Sequence, residues 1–365
     1  MALFKKRGET IMATNEQIIK DAITTESVSH GLLSPYQAKK FLQQTFEATP
    51  FQQAIRHVTR TEKSGEIDKI GIGHRLLRPK VENAFDGVTA SPKYGVVKYS
   101  CEATRLDWDI TNETLRQNIE GENMDDVITN LMTKQVGVDT EDLLLNGDEK
   151  ASEAEAFSST STYAAGDCVT EAGGLYRFLK AHAADAWNEA EVEMIGDDTD
   201  KVFLGQNDGI IKALNDSHII DVSGAKEMEL EMFYNAVAAM PNRFNDGTLR
   251  WMMSPTRQQQ WELFLLNKVI DAGGAVPESL YKSPVGIPAM GVPMMPNDTI
   301  ILSNPKNFLQ VNTYTMKIKK DETSVEAIRK DKRFYVVHFD FDAIIEEIEA
   351  TSIIKNLPLI LQGTN

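Results

Sequence analysis

The side chains with the strongest claim to chemistry in this 365-residue chain are His338, Asp340 and Asp342, in the run Phe334–Ile345, FYVVHFDFDAII. Alternating apolar and polar residues predict a strand, and a period of two places all three polar side chains on one face. An imidazole beside two carboxylates is the raw material of a coupled acid–base site. The same pattern is also the wetted face of a half-buried strand, which is the reading the residues favour. The other histidines (His30, His57, His74, His182 and His218) never pair at metal-ligand spacing, and none stands in an H-E-x-x-H setting.

Other candidates are thinner still. Asp197, Asp198 and Asp200 in GDDTD offer carboxylate oxygens to a cation. They lack the twelve-position calcium loop and read as a solvated acidic turn. Gly71-Ile72-Gly73 is a fragment of a phosphate loop, without a third glycine or a following Gly-Lys-Ser/Thr. No G-x-S-x-G elbow is present. Met290, Met294 and Met295 crowd into AMGVPMMP with no Cys or His nearby, which reads as core filling at a bend. Cys101 and Cys168 show no metal or disulfide spacing and are expected as free thiols. No catalytic residue, metal or cofactor is expected.

The elements that would carry these residues are mixed. Asn123–Leu145 predicts a long helix, with Met124, Val127, Ile128, Leu131, Val138 and Leu145 on one stripe and Asn146-Gly147-Asp148 as its stop. At 1.5 Å per residue it would span roughly 30 Å. Gln37–Glu47, Leu175–Glu189, Glu227–Met240 and Thr256–Leu266 read as further helices, the last opened by Pro255. Val202–Leu214 reads as a strand, a turn and a short helix, and Glu149–Asp167 as a surface loop. Arg250–Met253 and Thr299–Leu302 read as buried strands. Ala54–Trp108 reads as short strands, including Arg75–Val81 and Tyr94–Tyr99, interrupted by charge every few residues. Such strands need another surface to lie against, in the same subunit or a neighbouring one.

A 42% hydrophobic, 25% charged composition fits a globular chain with a real core. No apolar run approaches the roughly 18–20 residues that span a bilayer, so no membrane partner is expected. The start MALFKKRGETIMATNEQ has no apolar stretch after its basic residues, and residues 1–11 read either as a plain disordered leader or as an optional start before Met12. The net charge of −16 is unevenly placed. Asp139–Glu231 carries 22 acidic and 6 basic residues, whereas Arg56–Arg105 carries 10 basic and 6 acidic. The larger field repels nucleic acid, and the split offers charge complementarity between copies.

Four stretches in order resemble the major capsid proteins of tailed double-stranded DNA bacteriophages, with the Hong Kong 97-like fold. They are DLLLNGD at Asp142–Asp148, Gly209-Ile210-Ile211, WMMSP at Trp251–Pro255, and GIPAMGVPMMPNDTIILSNPKN at Gly286–Asn307. The resemblance covers about 123–357. It implies an α+β fold with an N-terminal arm (1–53), an extended β-hairpin loop (54–108), a peripheral domain built on a long spine helix (109–170 and 320–365) and an axial domain (171–319).

The resemblance further implies a structural, non-enzymatic protein that assembles with itself into pentamers and hexamers. These would close an icosahedral shell around double-stranded DNA held without sequence-specific contacts. The shell would belong to the virion and assemble in the host cytoplasm. A portal protein is an implied partner. A separate scaffolding protein is another, because only about 50 residues precede the hairpin region. Arg75, Arg78 and Lys80 are the expected inter-subunit contacts, laid on an acidic neighbour. No Lys–Asn cross-link is expected, although Lys63, Lys69 and Lys80 lie in the hairpin and Asn356 near the end. The alternatives are an encapsulin-like compartment and a cytosolic acidic enzyme using the His338 strand.

Overall fold

A computed structural model describes residues 49–71, 93–113, 124–223, 225, 228–271, 283–313 and 317–358. In chain order come helix α1 (Pro50–Ala54), strands β1 (Arg56–Arg60), β2 (Ser64–Gly71), β3 (Lys93–Ser100) and β4 (Glu102–Thr111), and the long helix α2 (Met124–Asn146). Strands β5 (Glu155–Ala156), β6 (Cys168–Glu171), β7 (Gly174–Phe178) and β8 (Val192–Asp197) follow, then helices α3 (Lys201–Leu204) and α4 (Ile210–Ala213). Next are β9 (His218–Asp221), α5 (Leu230–Ala239), β10 (Arg250–Met253), α6 (Pro255–Asp271), β11 (Ala289–Gly291), β12 (Ile300–Ser303) and β13 (Phe308–Thr313). The chain closes with β14 (Lys317–Asp321), α7 (Val325–Lys330), β15 (Lys332–Ile345) and β16 (Ser352–Lys355). Two compact units share these elements, divided within β4, α2 and β15.

The larger unit is organised by a five-stranded sheet in the order β11-β10-β12-β16-β9. Its central strands are uninterrupted apolar runs because both faces are covered. Met252, Ile301 and Ile353 stand side by side in register and face a core with Leu144, Phe308 and Phe341. The alternate residues Trp251, Leu302 and Ile354 face a second core, closed by Phe233 of α5 and Trp261 of α6. Trp251 is fully buried, and its indole N–H donates to Pro284 O at 2.9 Å. In a second sheet β13 pairs with β1 and with the C-terminal part of β15, Phe308 opposite Ile345.

Three sequence expectations need correction. Leu175–Glu189 is not a helix: β7 occupies its start, paired with β6 and β8. Ala172 and Gly173 adopt left-handed φ of 50° and 86°, which closes a tight hairpin and commits LYRF to a strand. The chain after it packs Trp187 edge-on against Tyr176 rather than continuing a helix. Val202 lies on helix α3, not on a strand. Helix α2 forms almost as expected, and Ile128 and Leu145 of the expected stripe are buried, together with Thr133, Val136, Gly137, Thr140, Glu141 and Leu144. Leu131, assigned to the buried stripe, is exposed. Gln52 donates to the Gly137 carbonyl on the buried face at 2.9 Å. The helix expected at Gln37–Glu47 and the strand at Arg75–Val81 lie outside the described residues.

In the smaller unit, β14 pairs with the N-terminal part of β15 from Lys317–His338 to Asp321–Phe334. Trp108 of β4 stacks on Tyr335 with ring centroids 5.1 Å apart. Helix α7 is capped by the Ser324 hydroxyl, which accepts from Ala327 N, and stopped by Asp331 in the left-handed region at φ 50°. Among the described residues no helix is long and apolar enough to cross a membrane.

Candidate functional site

Two motifs separated by 60 residues meet at the C-terminal end of α2. Gly209 N donates to Gly147 O at 2.8 Å, and the backbones approach so closely that neither position has room for a side chain. A Cβ on Gly147 would lie 2.4 Å from Asn207 O, and one on Gly209 would lie 2.6 Å from Leu145 O. The contact delivers Asp148 into the interior, where Arg177 of β7 donates to it at 2.9 Å and Lys212 of α4 at 2.7 Å. Arg177 also reaches Glu193 of β8 at 2.8 Å, and Lys355 of β16 reaches Glu193 at 2.6 Å.

Asp148, Arg177, Glu193 and Lys355 are all buried. Burial alone would raise the Asp148 carboxyl, but hydrogen bonds from Lys212 and Arg177 hold it below the usual carboxylate range. Burial likewise opposes ionisation of Glu193, and the charges of Lys355 and Arg177 overcome it. With Lys212 and its second partner Asp208, three cations balance three carboxylates. The junction ties the strands of the 155–197 sheet to the C-terminal end of α2 and to β16.

The residues singled out for chemistry are dispersed. His338 is exposed on β15. Asp340 is buried, where it accepts from Thr313 at 3.0 Å and faces Lys63 at 3.4 Å. It is therefore not on a wetted face, contrary to the sequence reading. Asp342 accepts from Ser100 N at 2.8 Å. Each carboxylate is thus committed to holding backbone or strands together. Met295 lies in the first core with Met290 and Met294 packed against it, as core filling requires. Cys101 and Cys168 are free and buried, and burial pushes each thiol up to about 12. Among the described residues, no group of three or more His, Cys, Asp or Glu is arranged to hold a metal ion.

No family model matches the chain. In sequence it is 24% identical over 360 residues to YqbE of Bacillus subtilis (strain 168), a prophage capsid protein by assignment, covering 93% of this chain and 97% of that one. In structure it matches a chain of the satellite phage P4 procapsid that includes the size determination (Sid) protein, with a TM-score of 0.54 at 14% identity over 94% of this chain and 95% of that one. A chain of the capsid of an empty GTA particle matches at 0.51 and 12%, covering 97% and 100%. One from Gordonia phage Cozz matches at 0.50 and 10%, covering 97% and 98%. The chain has the fold of the phage capsid proteins. The resemblance read from the residues therefore holds, and it extends over nearly the whole length of each relative.

On this capsid fold the base of the hairpin is anchored within its own subunit. Tyr99 and Cys101, with Ile67 and Val97, pack on Leu309, Val311 and Ile344. Arg56 pairs with Glu346 at 2.8 Å, and Lys69 reaches Glu347 at 3.2 Å and the Glu346 carbonyl at 2.9 Å. An open groove of about 550 Å³ runs beside the hairpin, lined by Glu66, Glu149, Asp208 and Asp342 with Lys98 among them. Burial, with the charges of Glu149 and Asp208 adding, pushes the Asp342 carboxyl up to about 6 despite its hydrogen bonds from Ser100 and Ala343. Arg75, Arg78 and Lys80 lie outside the described residues.

Proposed function

We propose that this chain is the major shell-forming subunit of a tailed-phage or prophage capsid. Identical copies assemble into pentamers and hexamers that close an icosahedral shell around double-stranded DNA. The observation that carries the reading is the capsid fold over nearly the whole chain, together with a relative assigned as a prophage capsid protein and matched over 97% of its length. Head-to-tail contacts between unlike patches generate closed rings, and many modest contacts per copy make the shell durable. On this reading the protein works by shape, residues 1–53 form an arm, 54–108 a hairpin loop, 109–170 with 320–365 a peripheral domain, and 171–319 an axial domain.

The reading places the protein in the virion after assembly in the host cytoplasm, aided by a separate scaffolding protein and a portal. Arg75, Arg78 and Lys80 meet acidic residues of a neighbouring copy, within 139–231. Among the described hairpin cations, Arg56, Lys63 and Lys69 face acids of their own subunit, whereas Arg75, Arg78 and Lys80 fall in the segment between β2 and β3. The test is negative-stain electron microscopy with light scattering on the full chain co-expressed with its scaffolding protein. Closed shells, tubes or rings of five and six are expected, and a persistent monomer would end the shell reading. Arg75→Glu, Arg78→Glu and Lys80→Glu together should abolish shells while leaving the monomer folded; normal shells from that triple variant would refute the hairpin contact.

A further inference from the structure

Helix α7 presents Val325 and Ile328, one turn apart, at 66% and 69% exposure, while Ala327 between them is buried. The helix is firmly held. Besides its two caps, Asn112 N donates to the carbonyl of Asp331 at 2.9 Å, Asn112 Nδ2 donates to its side chain at 2.7 Å, and Lys332 reaches Asp109 at 2.5 Å. Two large apolar side chains are thus displayed on a rigid frame, so little entropy would be lost when something covers them. Lys317–Arg333 carries seven basic and four acidic residues. Arg329 lies beside Ile328 and is exposed.

The mirror image of this patch lies elsewhere on the same chain. Val202 on α3 is 70% exposed and directly follows the acidic turn Asp197, Asp198 and Asp200. Burial, with the charges of Asp197 and Asp198 adding, raises the Asp200 carboxyl, as expected for like charges crowded without relief. Lys201, the nearest cation in sequence, is turned away to the Ala154 carbonyl at 3.2 Å. Helix α3 is also fixed, through Leu204 in the core and Asp148 N donating to Leu204 O at 2.9 Å.

We propose that α7 of one copy docks on the Asp197–Val202 segment of a neighbouring copy, Val325 and Ile328 covering Val202 while Arg329 meets the acidic turn. The inference rests on the shell reading and names one of its head-to-tail contacts. It gives the GDDTD motif a role that neither a metal nor a catalytic site supplies. The patches are unlike, so the contact is heterologous and is made twice by each copy, once with each patch.

The test is a charge swap in the full chain co-expressed with its scaffolding protein, read as the threshold concentration for shell formation by light scattering. Arg329→Glu and Asp198→Lys should each raise the threshold about tenfold, equivalent to ~1.4 kcal/mol. The double variant should return to within about threefold of the unmodified chain. Both side-chain changes are at exposed positions, so thermal melting of the unassembled subunit should not move. Single variants that assemble like the unmodified chain, or a double variant no better than either single, would overturn the contact while leaving the shell reading intact. Failure of the unmodified chain to assemble would overturn the shell reading and this contact with it.

Discussion

Replacing Arg177 with methionine keeps most of the side-chain bulk and removes the charge that bridges Asp148 and Glu193. Lys212 still faces Asp148 and Lys355 still faces Glu193, at 2.7 and 2.6 Å. Both buried carboxylates therefore keep one cation, but each loses a charge-assisted hydrogen bond from Arg177. At about 1.5–2.5 kcal/mol for each such bond the two together cost about 3–5 kcal/mol. For a chain of this size roughly 2 °C of melting temperature accompanies each kcal/mol, so a loss of about 6–10 °C is expected at pH 7. The pH dependence identifies the cause. Asp148 and Glu193 have folded pKa values below their ordinary ones. Their stabilisation is therefore present above the ordinary carboxylate pKa and lost as pH falls through the lowered folded values. Without Arg177 a single lysine opposes burial at each carboxylate, so both folded values move up. The deficit is lost as pH falls through the variant's higher values, so it should be smaller at pH 4 than at pH 7. Scanning calorimetry of unassembled subunit at both pH values measures this. A melting temperature within 2 °C of the unmodified chain at pH 7, or a deficit that stays constant on acidification, would refute the argument.

Gly147→Ala forces a Cβ to within 2.4 Å of the Asn207 carbonyl, where backbone must move. A loss of about 1–3 kcal/mol is expected in denaturant titration, with far-UV circular dichroism unchanged. Asp342 is raised to about 6, so it stabilises the fold when protonated and that contribution is lost as pH rises through 6. Asp342→Asn keeps an acceptor for Ser100 N and cannot ionise. It should be more stable than the unmodified chain by about 1–2 kcal/mol at pH 8, discounted for partial exposure, with the gain vanishing below about pH 4. A gain that persists at pH 4 would show that ionisation is not its source.

The central sheet was largely legible because its strands announce themselves. WMM at Trp251–Met253 and III-type runs at Ile300–Leu302 are too apolar and too short for anything but strands buried on both faces. Their neighbours were not legible. Strand β16 inserts beside β12 from some fifty residues downstream, and no local pattern records which distant strand a buried strand will pair with. Leu175–Glu189 misled for a related reason. Leu175, Phe178 and Leu179 have helical spacing, but the turn chemistry of Ala172-Gly173-Gly174 sets a hairpin before any helix can start.

The buried junction left one signal in the sequence. Arg177 stands between Tyr176 and Phe178, and a guanidinium in the middle of such an apolar strand requires counter-charges at hand. Its partners gave none, because Glu193 lies in a stretch of 22 acidic residues where any carboxylate reads as surface. That internal use of charge sharpens the electrostatics of the segment. Of the six basic residues in 139–231, Arg177 and Lys212 are drawn into the junction, Lys150 is paired with Asp167, and Lys201 is turned to a backbone carbonyl. Arg177, Lys212 and Lys150 are matched by carboxylates of the same stretch, Asp148, Glu193, Asp208 and Asp167, so the pairing leaves its acidic excess in place. The remaining carboxylates give it a strongly negative outer face. Copies packed closely in a shell would bring such faces toward one another, and like charges in contact cost several kcal/mol. Relief has to come from cations on other parts of the neighbouring copy, which is the role assigned to Arg329 on α7 and to Arg75, Arg78 and Lys80 between β2 and β3.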